Sequence, residues 1–189
     1  TYQYHVDDPE ELAMINYTSG TTGFSKGVML PYRALWGNLD YLMDTVKPKI
    51  GKNCNILSTL PMAHMYGLMT EFIFNIVLGN HIFFLTRQPS PTLISEALNE
   101  TKPDIIFAVP LVIDKIVRKH VFPRVQTNWV RLLTSMPVLS KRIKEKIREF
   151  VLGEFGKHPY EVVVGGAPLN KEIENFFVSI GFPIAMGYG

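Results

Sequence analysis

Apolar positions along this chain keep two rhythms. Short apolar runs at 12–17 (LAMINY), 27–30, 55–60, 81–85 (HIFFL), 104–108, 160–164 and 183–186 read as strands, with 12–17 and 81–85 expected to be buried. Between them the apolar residues recur at helical spacing. Pro31 is well placed to start a helix in which Ala34, Leu35, Leu39, Leu42 and Met43 share a face as far as Pro48. Further helical patterns cover 66–78, 92–100 and 111–119, and Gly79-Asn80 punctuates the first of them. Ser140 is expected to cap a basic helix with Ile143, Ile147, Phe150 and Val151 on one face, and Asn170 to cap another running to about 180.

Strands alternating with helices at this spacing predict an α/β fold, a mainly parallel sheet with helices on both faces. Ligands of such sheets sit in loops at the carboxyl ends of the strands. Glycine-rich segments at 18–27, 165–168 and 187–189 each follow a predicted strand, so all three are expected on one rim.

Composition narrows the class. With 189 residues, 47% hydrophobic and 19% charged, the chain suits a single globular domain and not a disordered tail. A formal net charge of +2 gives no case for nucleic acid. Cys54 is the one cysteine, which excludes an internal disulfide and a cysteine-based zinc site and fits a reducing, cytoplasmic setting. No apolar run approaches the roughly eighteen residues of a membrane span. The chain starts at Thr1 and stops at Gly189 directly after a Gly-Tyr-Gly turn, so both ends are expected to be internal to a longer protein.

The densest chemistry lies in YTSGTTGFSKGV, residues 17–28. Gly20, Gly23 and Gly27 remove the Cβ atoms that would keep a ligand from the backbone, Thr18, Ser19, Thr21, Thr22 and Ser25 supply hydroxyls, and Lys26 supplies one cation. Each hydrogen bond to a charged oxygen contributes roughly 1.5–3 kcal/mol, so converging donors of this kind can hold a polyphosphate. The spacing departs from the usual phosphate loop, because Ser25 precedes Lys26 and Gly27 follows it. Composition alone leaves a flexible solvated linker open.

This segment strongly resembles the signature loop of the adenylate-forming enzymes, which include acyl- and aryl-CoA ligases, luciferases and peptide-synthetase adenylation domains. LPMAHMYG (60–67) resembles the family's Leu-Pro-x-x-His-x-x-Gly segment, and VVGGAPLNKE with the later MGYG resembles its adenine-site segments. The resemblance implies that the chain is part of the large N-terminal AMP-binding domain, spanning 1–189, with the small C-terminal domain absent. It implies activation of a carboxylic acid by ATP with Mg²⁺ to an acyl-adenylate and pyrophosphate, then transfer to CoA. Thr18, Ser19, Gly20, Thr21, Thr22, Gly23 and Lys26 carry over as the phosphate grip. Gly166, Ala167 and Pro168 carry over as the adenine wall, with Tyr188 between Gly187 and Gly189 as a stacking face. His64 carries over as a residue orienting the acid, and no metal ligand is assigned. Ser25 stands where the family usually has proline, which changes expected loop mobility more than function. The family's Thr-Glu after Gly-Tyr-Gly, a ribose-binding aspartate and a catalytic lysine would lie beyond Gly189, so the chain alone is expected to be inactive.

Peptide-synthetase domains usually carry a Phe-Asp pair where this chain has LPMAHMYG, so a fatty or aryl acid is favoured over an amino acid. The length of the segment 115–148 most resembles long-chain fatty-acid–CoA ligases. An aryl-acid or medium-chain ligase, and a non-catalytic nucleotide-binding domain, stay open as alternatives. The same segment holds ten Lys or Arg residues against one acid, Glu145, a local +9 within a total of +2. It reads either as a solvated helical face or as a dock for anionic lipid headgroups at the inner face of a membrane or for CoA phosphates. Reversing the charge of Lys141, Arg142 and Lys144 in the full-length protein separates the two: lost vesicle binding or altered CoA dependence marks a dock, and unchanged behaviour marks a solvated face.

Overall fold

A computed structural model describes residues 8–18, 24–48, 50, 53–125, 137–157 and 159–187. Strands β1 (Leu12–Thr18) and β2 (Lys26–Pro31) form an antiparallel hairpin, and α1 (Tyr32–Thr45) follows at once with Pro31 as its N-cap. Five parallel strands make the main sheet: β3 (Asn55–Ser58), β4 (His81–Phe84), β5 (Ile105–Ala108), β6 (Glu161–Val164) and β7 (Ile184–Met186), in the order β4-β3-β5-β6-β7. The helix α2, joining β3 to β4, runs through Met65–Gly67, a wide π-type stretch Leu68–Ile73 and Phe74–Leu78. The helix α3 is Pro91–Thr101, and α4 runs through Pro110–Ile116, a second π-type stretch Val117–Val121 and Phe122–Val125. Basic α5 (Pro137–Glu154) and α6 (Lys171–Ile180) complete the set.

Period-two alternation along each central strand builds two cores. Ile56, Ile105 and Phe107 pack with Leu42, Val46 and Phe74 on the face covered by α1 and α2. Leu57, Ile106, Ala108, Val162 and Val164 pack on the other face against Ile94 and Leu98 of α3, Ile113 and Ile116 of α4, and Ile173 and Phe177 of α6. Near-continuous burial of β5 is what a central parallel strand needs, and its sequence IIFA supplies it. The mainly parallel sheet with both faces covered is thus as the pattern predicts.

Three local expectations are corrected. The run at 12–17 is no buried strand of the main sheet. Among the described residues it pairs only with its hairpin partner, and Leu12, Ile15 and Tyr17 stay exposed while Asn16 is the buried residue of the strand. HIFFL forms the sheet's edge, so Phe83 and Phe84 stay partly exposed, because a strand with one neighbour has no second layer over all of its width. Ser140 does not cap the basic helix but lies inside α5 (Pro137–Glu154), three residues past its first described position, whereas a capping serine stands just before the first helical turn. Asn170, by contrast, does cap α6, its side chain accepting from the Glu172 N–H at 2.9 Å.

Candidate functional site

Strand order reverses at β3: the chain steps from β3 outward to β4, then returns across β3 to place β5 on its other side. A crevice opens at the carboxyl ends of strands where order reverses, and this is where α/β sheets hold ligands. The loop leaving β3 at this point is LPMAHMYG, and the loops leaving β5, β6 and β7 are Val109-Pro110, Gly165–Pro168 and Gly187.

Four ties assemble the rim. Glu71, on the π-type stretch of α2 and with 0% exposure, accepts from the Ser58 hydroxyl (3.0 Å), the Thr59 N–H (3.0 Å) and the Leu60 N–H (2.9 Å). Gly67 lets the start of α2 press against this loop, for a Cβ there would stand 2.8 Å from the Pro61 carbonyl oxygen. The Tyr66 hydroxyl donates to the Val163 carbonyl at 3.1 Å, and its ring lies so close to Gly165 that a Cβ would come within 2.8 Å of it. The Gly187 N–H donates to the Val164 carbonyl at 2.8 Å, bringing the β7 turn beside the β6 turn. The 60–67 loop, the 165–168 turn and Gly187 therefore share one rim; of the three glycine-rich segments expected there, 165–168 and Gly187 are adjacent, while most of 18–27 and residues 188–189 lie outside the described residues.

Gly166, Ala167 and Pro168 are exposed and line an open cleft of about 540 Å³ together with Val109, Pro110, Leu111, Asp114 and Asn170. Gly166 has φ +84°, a conformation that disfavours other residues. His64 is exposed at the N-cap of α2, its N–H donating to the Pro61 carbonyl at 3.0 Å. Met62, Met65 and Leu68 beside it are half-buried, while Tyr66 packs edge-on to Phe107 as part of the core. Thr18 and Lys26 stand opposite each other as the last register pair of the hairpin, both exposed. The hairpin is tied to the rim through Asn16, whose amide donates to the Ala63 carbonyl at 3.4 Å. Ser19, Gly20, Thr21, Thr22, Gly23, Tyr188 and Gly189 lie outside the described residues. Among the described residues no group of His, Cys, Asp and Glu could hold a metal ion.

Glu71, Tyr66 and Asn16 are the residues that sequence reasoning missed as organisers. The signal for Glu71 was present: a single acid in the otherwise uncharged helical stretch LMTEFIFNIVL. Burial pushes its carboxyl from an ordinary 4.5 up to about 7, with the donated bonds from Leu60, Thr59 and Ser58 drawing it partly back. Burial and the nearby Glu71 also push the Tyr66 hydroxyl upward.

The arrangement defines a class, an open cleft at the carboxyl edge of a parallel α/β sheet. A family model described as AMP-binding enzyme matches residues 2–189, and the chain belongs to that family. It is 28% identical to long chain acyl-CoA synthetase 8 of Arabidopsis thaliana across 94% of this chain and 28% of that protein. It is 27% identical to long-chain-fatty-acid–CoA ligase 3 of Saccharomyces cerevisiae, across 98% and 28%. It is 26% identical to 4-coumarate–CoA ligase 1 of Oryza sativa subsp. japonica, across 97% and 28%. The chain thus spans under a third of the length of these curated relatives. Among solved structures, the A-PCP didomain of a carboxylic acid reductase from Segniliparus rugosus in complex with AMP has a TM-score of 0.70 at 22% identity, across 96% of this chain and 24% of that one. A malonyl-CoA ligase complex with methylmalonyl-CoA and AMP gives 0.66 at 24%, across 96% and 33%. Both show the same fold.

Two outcomes follow from this geometry. Gly67→Ala is expected to cost about 1–3 kcal/mol through overpacking against the Pro61 backbone, read as a lower urea midpoint at unchanged slope. Glu71 holds its proton more tightly folded than unfolded, so stability falls as pH rises from about 4.5 to about 7 and levels off above that. At about 1.4 kcal/mol per pH unit, the fall totals about 3 kcal/mol. Comparing urea midpoints across pH with those of Glu71→Gln isolates it, since the variant should lack this part of the slope.

Proposed function

We propose that this chain is the nucleotide-binding portion of an acyl-CoA ligase acting on long-chain fatty acids. Support comes chiefly from the tie that Tyr66 makes between the loop carrying His64 and the turn that leads into Gly166–Pro168; in this reading His64 orients the acid and Gly166–Pro168 face the adenine. The long-chain synthetases among its relatives point to the substrate class.

In this reading adenine lies against Gly166, Ala167 and Pro168 and stacks on Tyr188, while Gly187 and Gly189 allow close approach. The β- and γ-phosphates are held by Thr18, Ser19, Gly20, Thr21, Thr22, Gly23 and Lys26. A carboxylate oxygen of the fatty acid, oriented by His64, attacks the α-phosphorus. The new P–O bond forms as the bond to pyrophosphate breaks, and Lys26 with the hydroxyl donors stabilises the charge gathering on the departing group. CoA thiol then attacks the acyl carbon, and AMP leaves. The Mg²⁺ that accompanies ATP in such chemistry finds no cluster of His, Cys, Asp or Glu ligands among the described residues.

A second reading, an aryl-acid ligase, is favoured by the likeness to 4-coumarate–CoA ligase 1. A panel of fatty and aryl acids given to the full-length protein separates the two. No helix among the described residues is long and apolar enough to cross a membrane.

Lys26 is exposed on β2, so Lys26→Ala should leave folding intact. In the full-length enzyme it is expected to lower ATP–pyrophosphate exchange about 10²–10³-fold, the scale of losing one charge-stabilising donor. Exchange at the wild-type rate would overturn its assigned role. The 189-residue chain by itself is expected to support no exchange, and measurable turnover would refute that expectation.

A further inference from the structure

We infer that Glu71 is a positioning residue for His64: its buried carboxylate anchors the backbone of Thr59 and Leu60 and so fixes the loop that carries His64 to the rim. This rests on the acyl-adenylating reading above and assigns that reaction a residue far from any phosphate motif.

Removing a carboxylate from water is expensive, and a buried ionisable group is weak evidence of stabilisation. An apolar side chain would suit a position that is 0% exposed within the core-facing side of α2. What a carboxylate does and an apolar group cannot is gather several donors at one point. Pairing of β3 with β4 ends at Ser58, just where the chain must turn. Glu71 takes over there, accepting from residues 58, 59 and 60 in succession.

The anchoring reaches His64 through a closed circuit. Leu60 leads to Pro61, whose carbonyl accepts from the His64 N–H at 3.0 Å. The His64 carbonyl accepts from the Leu68 N–H at 3.0 Å, which joins the loop to the π-type stretch that carries Glu71. Gly67 packs against Pro61 from inside the circuit. His64 is thereby held from both chain directions, although its side chain is exposed. The π-type stretch is itself informative, since such widened turns are often found at functional sites.

The test uses the full-length enzyme and two readouts. In Glu71→Gln one oxygen becomes an amide NH₂ facing donors, so part of the anchor is lost. Hydrogen exchange at the Thr59, Leu60 and His64 amides should quicken about ten-fold or more while Ile106 and Phe107 in β5 keep their protection. In ATP–pyrophosphate exchange the KM for the acid should rise, or kcat fall, about ten-fold, because small misplacement near the reacting groups is costly. The KM for ATP should stay within about two-fold, as the phosphate grip lies on other elements. Ser58→Ala, which leaves both backbone bonds in place, should keep His64 protected. Glu71→Asp retains the carboxylate and should give intermediate values, and it supplies both readouts if the glutamine variant does not fold.

Wild-type protection of His64 in folded Glu71→Gln overturns the inference. So does a released His64 amide with unchanged acid KM and kcat. An unaltered full-length enzyme that exchanges pyrophosphate with no carboxylic acid overturns the ligase reading, and the inference with it.

Discussion

One carboxylate holds the rim of this sheet together. Where β3 stops pairing, its last residues present donors with no strand to receive them, and Glu71 receives them instead. Without that acceptor the Thr59 and Leu60 N–H groups would be left unmatched in partly or fully buried surroundings, at a cost of about 1–3 kcal/mol each. From the anchored loop the remaining ties radiate: Tyr66 to the β6 turn, Asn16 to the hairpin, Gly67 to its own helix. The hairpin and the β6 turn, far apart in sequence, are thereby joined through one short loop, and the β7 turn joins them through the bond from Gly187 to Val164.

The same carboxylate sits at an electrostatic balance. Burial favours its neutral form and four kinds of donated bond favour the charged one, with burial the larger effect. Tyr66 shares this environment, and its hydroxyl is accordingly held in the protonated form that donates to Val163. The two groups that organise the rim are therefore coupled: negative charge on Glu71 strengthens the hold of Tyr66 on its proton. A tyrosine that keeps its proton is what the contact with a carbonyl acceptor requires.

Much of this was legible in the sequence, and the exceptions share a cause. IIFA at 105–108 could be read as a central strand because both of its faces are apolar, and Asn170 as a cap because capping depends on neighbours two residues away. LAMINY and HIFFL look the same in composition, yet one belongs to a hairpin and the other to a sheet edge. Which strand lies beside which is decided by contacts between distant segments, and an apolar run does not encode its neighbour count. The motif positions at 60–67 and 165–168 were visible, but the link between them was not, for it depends on a glycine Cα meeting a tyrosine ring across about a hundred residues. Glu71 was visible as an oddity in an uncharged helical stretch. Its partners, the backbone amides of 59 and 60, have no sequence signature, since every residue but proline carries one.

The hairpin gives the ends of the glycine-rich segment a particular physical character. Thr18 and Lys26 are paired across an antiparallel ladder, so the ends of the intervening loop are held together by strand hydrogen bonds before any ligand arrives. Closing such a loop costs entropy, and here strand pairing supplies that closure during folding. Lys26 in turn stands on a strand, so the ladder sets its backbone position while its exposed side chain keeps its own rotamer freedom. That matters for Ser25, which stands where proline is usual in this family. Proline would restrict the residue before Lys26 from within the loop. With the register pair already setting the backbone of Lys26, a serine at 25 needs no proline ring to hold that backbone, and it puts a hydroxyl next to Lys26 in the chain.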